Sequence, residues 1–153
     1  MIVALTDGGD VVAMDDVRSS RARALRDQHY AHNVTFSPKI FIPVTQLCRD
    51  VCHYCAFAKT PSQLDTLYLE LDDILATVRE GAAAGCREVL LTLGEKPELR
   101  YRVAREWLES RGYRSTIDYV ATVAQRILDE TGLLPHINAG TLSRSELREL
   151  RSV

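Results

Sequence analysis

The stretch Cys48-Arg49-Asp50-Val51-Cys52-His53-Tyr54-Cys55 sets three thiols three and two residues apart. Three thiolates on one short loop can hold three irons of a cubane cluster and leave the fourth iron without a protein ligand, whereas ordinary four-iron carriers supply four cysteines. An iron left open in this way is a place for a substrate or cofactor to bind. Zinc is the alternative, and a structural zinc takes four ligands, so His53 or the distant His136 would have to complete the set. His53 lies between two of the cysteines, a poor position from which to close a tetrahedron around the same ion. The remaining cysteine, Cys86, follows Gly85 at the start of an apolar run and reads as a small buried core residue.

Composition narrows the setting. The chain has 153 residues with 46% hydrophobic side chains, enough for one domain with a real core. Its 19 basic and 21 acidic residues nearly cancel, which points to small-molecule or protein partners, with no nucleic acid and no membrane. The apolar runs, such as KIFIPV and VLLTLG, are far shorter than the ~20 residues of a membrane span. With no export signal in view, three crowded cysteines fit a metal or cluster site in a reducing compartment better than two disulfides, so the expected location is cytoplasmic.

The elements that must carry the loop alternate between strand and helix, an α/β pattern. Asp15 to about Ala31 reads as a helix with Arg18, Arg21, Arg23 and Arg26 on it, either a solvated face or a basic side for an acidic partner. TFSPKIFIPVTQL is the first strand, apolar enough to be buried on both faces, with Pro43 expected to disturb its ladder. The cysteine loop follows at once. Leu71, Ile74, Leu75 and Val78 then mark one face of a helix that stops near Gly85. EVLLTLG is the second strand, a helix runs from about Glu98 to near Gly112, and Ser115 with Asp118 makes a capping box for a helix whose apolar face carries Val120, Val123, Ile127 and Leu128 and which Gly132 closes. LLPHINAG is the third strand, and Ser143 with Glu146 caps a last helix. Three β/α units cannot close an eightfold barrel of ~250 residues, so the expectation is a small open sheet or the first part of a larger barrel.

The spacing Cys48-x-x-x-Cys52-x-x-Cys55 after the first strand, with Tyr54 before the last cysteine, resembles the cluster loop of the radical S-adenosylmethionine (radical SAM) superfamily. The resemblance implies an incomplete radical SAM (β/α) barrel of the TIM type, with about three β/α units. It also implies a [4Fe-4S] cluster on Cys48, Cys52 and Cys55, whose open iron is chelated by the amino and carboxylate groups of SAM. Reductive cleavage of SAM then gives a 5'-deoxyadenosyl radical. The second strand of that superfamily commonly ends in Gly-Gly-Glu, which binds the SAM amino group. The matching positions here are Leu93, Gly94 and Glu95, with the first glycine absent. The backbone at Tyr54 is where the superfamily contacts adenine. Asn138, in Asn138-Ala139-Gly140, stands where related enzymes have Asn-Pro-Gly, and is either a ligand contact or a turn residue.

From about Val34 onward the wording of the chain is similar to the N-terminal radical SAM part of the FO synthase family, in its fused actinobacterial form. Residues 1–33 are then a polar and helical lead-in, and residues 34–153 the N-terminal part of a truncated barrel. That family joins tyrosine to a ribityl-diaminouracil, and the module resembled here closes the adduct's ring with loss of ammonia, giving 7,8-didemethyl-8-hydroxy-5-deazariboflavin. The resemblance therefore implies a lyase or synthase of deazaflavin coenzyme biosynthesis, served by a reductant protein and a C-terminal barrel half or partner radical SAM module. No residue is assigned as acid or base. The competing reading is an inactive remnant, or a bare iron-sulfur or zinc-binding module. His53 either lines the pocket or shapes the loop. Arg49 and Asp50 are expected to brace the loop as a local ion pair, Lys96 and Glu98 to pair with each other or with solvent, and Tyr101, Trp107 and Tyr119 to pack. A three-strand piece is also expected to leave one sheet edge unpaired and apolar surface uncovered.

Overall fold

In the computed structural model, which describes residues 12–31, 33 and 36–153, the three apolar runs pair as parallel strands β1 (Lys39–Thr45), β2 (Glu88–Leu93) and β3 (Leu134–Asn138), in the order β1-β2-β3. Between them run α2 (Leu71–Ala83), a 3-10 turn over Pro97–Leu99, α3 (Arg102–Ser110) and α4 (Thr116–Thr131). Helix α5 (Arg144–Arg151) follows β3. The chain divides into two compact units at Phe36 and Ser37. The first holds α1 (Val12–Tyr30), whose Arg18, Arg21, Arg23 and Arg26 are all exposed.

The second unit carries the core. Strand alternation sends Ile40, Ile42 and Val44 of β1, with Val89, Leu91 and Leu93 of β2, to one face, where all are buried. Helices α2 and α4 cover that face with Ile74, Leu75, Val78, Val120, Val123 and Ile127. Asp72 and Asp73 in the first turn of α2 complement its dipole, and Gly132, in the left-handed region with φ 68°, ends α4. Cys86, expected as a buried core residue, is half-buried and packs against the core from its rim.

The opposite face corrects the expectation of a doubly buried first strand. Phe41 is 55% exposed and Leu134 62%, because helices cover one side of the sheet and, among the described residues, no element covers the other. Cross-strand rows on this bare face read Lys39, Glu88, Leu134, then Phe41, Leu90, His136, then Pro43, Thr92, Asn138. Both edges are open among the described residues, since β1 and β3 each pair with β2 alone. That is one edge more than expected. Pro43 does disturb the ladder, with a register shift between it and Thr45.

Two further differences come from local chemistry. The helix expected from Glu98 begins at Arg102, because Lys96 is in the left-handed region, the chain makes a 3-10 turn, and Tyr101 is extended as N-cap. Glu98 does not pair with Lys96. It is buried and accepts from the Thr116 backbone N–H (3.2 Å) and hydroxyl (2.6 Å), and the Thr116 hydroxyl also meets that of Tyr68 at 2.7 Å. Burial pushes the Tyr68 hydroxyl above its ordinary range, so the phenol stays protonated within this network. Of the two expected capping boxes, Ser143 and Glu146 form both halves. At Ser115 the side chain caps Asp118 N–H, while the Asp118 carboxylate turns to Arg114. Trp107 stacks on Tyr68 at 4.5 Å and meets Tyr119 edge-on at 5.2 Å, so these aromatics pack as expected.

Candidate functional site

The site is built where the chain leaves each strand. At the end of β1, Thr45 Oγ1 accepts from Leu47 N–H (3.1 Å) and donates to Leu67 C=O (2.6 Å), which turns the chain out of the sheet into the cysteine loop. The end of β2 then braces that loop along one seam. Gly94 N–H donates to Thr45 C=O (3.0 Å), Arg49 N–H donates to Glu95 C=O (2.9 Å), and Glu95 N–H points at Cys48 Sγ (3.3 Å). A hydrogen bond to sulfur is one of the levers that set a cluster's potential.

Gly94 is required by this seam. A Cβ on it would lie 1.8 Å from the Leu47 carbonyl oxygen and 2.9 Å from Cys48 Cα. The close neighbour that excludes a side chain at Gly94 is the chain's own backbone.

Glu95 is 8% exposed and ties three loops together. One carboxylate oxygen accepts from Arg49 Nη2 at 3.0 Å, and the other from Thr141 N–H at 2.7 Å, after β3. Gly140, with φ 72°, makes room for it, since a Cβ there would fall 2.0 Å from that second oxygen. The expected Arg49–Asp50 pair is therefore secondary. Its separation is 3.8 Å, and the buried carboxylate of Glu95 is the better acceptor. Arg100 Nη1 also donates to Arg49 C=O (3.1 Å).

Lys96, which was expected to pair with Glu98 or solvent, instead donates to Glu146 at 2.9 Å, beside the N-terminus of α5. The Lys96 ammonium, with the Ser143 backbone N–H, pulls the Glu146 carboxyl down to about 2.

Cys48, Cys52 and Cys55 are free thiols, the first half-buried and the other two exposed. All three line a cleft of about 490 Å3 together with Tyr54, Gly94, Glu95 and Asn138. The same three cysteines face a second cleft of about 200 Å3, bounded by Lys59, Arg100 and Tyr101. His53 is exposed and lines neither cleft. Among the described residues, no three His, Cys, Asp or Glu side chains are grouped to hold a metal ion, Cys48, Cys52 and Cys55 included.

No protein-family model matches the chain. Among curated proteins, it is 47% identical over 165 residues to FO synthase of Mycobacterium tuberculosis, an alignment covering 99% of this chain and 19% of that one. The chain is a homologue of FO synthase. The Mycobacterium leprae FO synthase is 52% identical over 124 residues, covering 78% of this chain and 14% of the relative. The 7,8-didemethyl-8-hydroxy-5-deazariboflavin synthase of Methanopyrus kandleri is 43% identical, covering 77% and 35%. The chain thus spans between about a seventh and a third of these relatives' lengths. Among solved structures, methylornithine synthase (PylB) matches with a TM-score of 0.61 at 22% identity, covering 87% of this chain and 34% of that one. The hydrogenase maturase HydG from Carboxydothermus hydrogenoformans matches with 0.61 at 22% identity, covering 94% and 30%. The α/β fold is the expected one, a parallel sheet with helices between its strands, and it matches about a third of each of these two structures.

Do the residues of this FO synthase homologue suit a cluster and SAM? The cleft has thiol donors along one wall, a carboxylate at the strand end, and one polar atom without a partner. That atom is Thr92 Oγ1, a buried hydroxyl in the row that also holds Asn138. A buried hydroxyl costs free energy unless something meets it, and a polar ligand in the cleft would do so. By donor type, three thiols, a carboxylate and a free hydroxyl, the lining suits such a group. Sequence reasoning missed Thr92, Thr141 and the pairing of Arg49. Thr92 alone carried a usable signal, since it shares strand parity with the residues lining the bare face.

Proposed function

We propose that the chain is the cluster-bearing part of a radical SAM lyase of deazaflavin coenzyme biosynthesis, acting in the cytoplasm on the tyrosine/ribityl-diaminouracil adduct. What supports this most is one coincidence. The part of the chain that is 47% identical to an FO synthase folds so that Cys48, Cys52, Cys55 and Glu95 line one cleft. In this reading residues 34–153 are the barrel portion and residues 1–33 a lead-in. The three thiolates hold a [4Fe-4S] cluster, Glu95 accepts the SAM ammonium, and the Tyr54 backbone and Asn138 meet the rest of the cofactor.

When bound, the cluster and SAM supply the radical that abstracts hydrogen from substrate. The chain's own work is placement. The seam from Gly94 to Glu95 fixes the cysteine loop, the Glu95 N–H holds Cys48 Sγ in place, and Thr92 offers its hydroxyl to a ligand. A reductant protein and a further barrel portion or partner module complete the proposal. Further strands would pair at the open edges of β1 and β3 and enclose the bare face, which carries Phe41 and Leu90.

The test is anaerobic reconstitution with iron and sulfide, followed by SAM and a strong reductant. The expected result is 5'-deoxyadenosine above the level of a variant with Cys48, Cys52 and Cys55 all changed to Ala. A wild-type chain that takes up zinc and no iron would refute the cluster reading.

A further inference from the structure

The carboxylate that should receive the ligand's ammonium already holds a cation. Glu95 Oε2 is fixed by Thr141 N–H at 2.7 Å and packed against Gly140, so Oε1 is the oxygen a ligand can take. Arg49 Nη2 sits on Oε1 at 3.0 Å. Two cations sharing one oxygen in a partly buried site repel each other at close range. The ligand's ammonium and Arg49 therefore compete.

The structure also shows where Arg49 can go. Its side chain is 39% exposed, and its Nε already lies 3.8 Å from Asp50 Oδ1, in a carboxylate that is 54% exposed. Meanwhile the Arg49 backbone stays tied by its N–H to Glu95 C=O and by its C=O to Arg100. A small swing of the guanidinium thus transfers it from Glu95 to Asp50 without moving the loop that carries the cysteines. We propose that Arg49 is a displaceable latch. It stands in for the ligand's ammonium on Glu95 and is handed to Asp50 when SAM binds, so Arg49 and Asp50 set the affinity for SAM without touching the reacting atoms. This rests on the reading that the cleft takes SAM.

The experiment is calorimetric titration of SAM into the reconstituted chain, with no reductant, for wild type, Arg49→Met and Asp50→Asn, each checked for iron content. Removing the competitor should tighten binding about fivefold, the equivalent of ~1 kcal/mol. Removing the receiving carboxylate should weaken binding by a few-fold. A residue that merely braces the loop would give losses in both variants, so opposite signs are the signature of a latch. If Arg49→Met loads iron and binds SAM no more tightly than wild type, the latch is refuted while the SAM site stands. If Arg49→Met fails to load iron, Arg49→Gln takes its place, and affinity there no tighter than wild type refutes the latch. If iron-loaded wild type gives no SAM binding, the SAM reading falls and the latch falls with it.

Discussion

Substituting Gly94 by alanine tests the seam that holds the cysteine loop. The residue is not among those with positive φ, so backbone torsion does not demand glycine, and the only obstacle is contact. The new Cβ would stand 1.8 Å from the Leu47 carbonyl oxygen, against an ordinary carbon-oxygen contact of about 3.3 Å. The strand end and the loop must therefore part by roughly 1.5 Å, less only what neighbouring backbone absorbs. Three hydrogen bonds cross that seam, at 3.0, 2.9 and 3.3 Å, and such a displacement carries each beyond bonding range. At about 1 kcal/mol each, their loss costs about 3 kcal/mol, which lowers Tm by about 6–12 °C in a chain of this size.

The assay is thermal unfolding without iron, followed by iron uptake on reconstitution. Gly112→Ala is the control. Unlike Gly94 it lies in the left-handed region, with φ 81°, where a side chain is strained, but its Cβ meets nothing within 4 Å. It should cost about 1–2 kcal/mol and leave iron uptake unchanged. Gly94→Ala should lose both stability and iron. A Gly94→Ala chain with wild-type Tm and full iron uptake would refute the claim that this contact positions Cys48.

Other substitutions separate the site from its scaffold. Single changes of Cys48, Cys52 or Cys55 to Ala should each abolish the cluster's visible absorption, while Cys86→Ala, half-buried in the core, should keep it and lose about 1 kcal/mol in urea unfolding. Thr116→Val removes a donor from the buried Glu98 carboxylate and a partner from Tyr68, and should cost about 2–3 kcal/mol by the same measurement. The Lys96–Glu146 pair predicts a pH dependence. Because the folded Glu146 carboxyl titrates at about 2, below its ordinary 4.5, its contribution is complete above pH 4.5 and lost as pH falls through 2. The Tm gap between wild type and Lys96→Met should therefore be open at pH 6 and narrow steadily toward pH 2. A gap that does not change with pH would show that the pair contributes nothing.

What the sequence made legible was whatever is local. Three cysteines within one loop, the Ser143–Glu146 box and the break at Pro43 all depend on neighbours a few positions away, and the structure has each of them. Side-chain pairing was misread for the same reason. Arg49 was matched to the adjacent Asp50, while its nearer partner, Glu95, lies 46 positions on. Lys96 and Glu98 are expected from sequence to meet each other or solvent, while their partners Glu146 and Thr116 lie 50 and 18 positions further along the chain. The reason for Gly94 is also non-local, because the Leu47 carbonyl that fills the space beside it cannot be seen without the β1–β2 register. These long-range pairs share one geometric cause. Parallel strands joined by helices bring all their C-terminal ends to the same side of the sheet, so the loops after β1, β2 and β3 meet there however far apart they are in sequence. Glu95 lies where those three loops converge, bonded to Arg49 from the first and Thr141 from the third. Any ligand that takes its carboxylate therefore binds a group that all three loops hold in place.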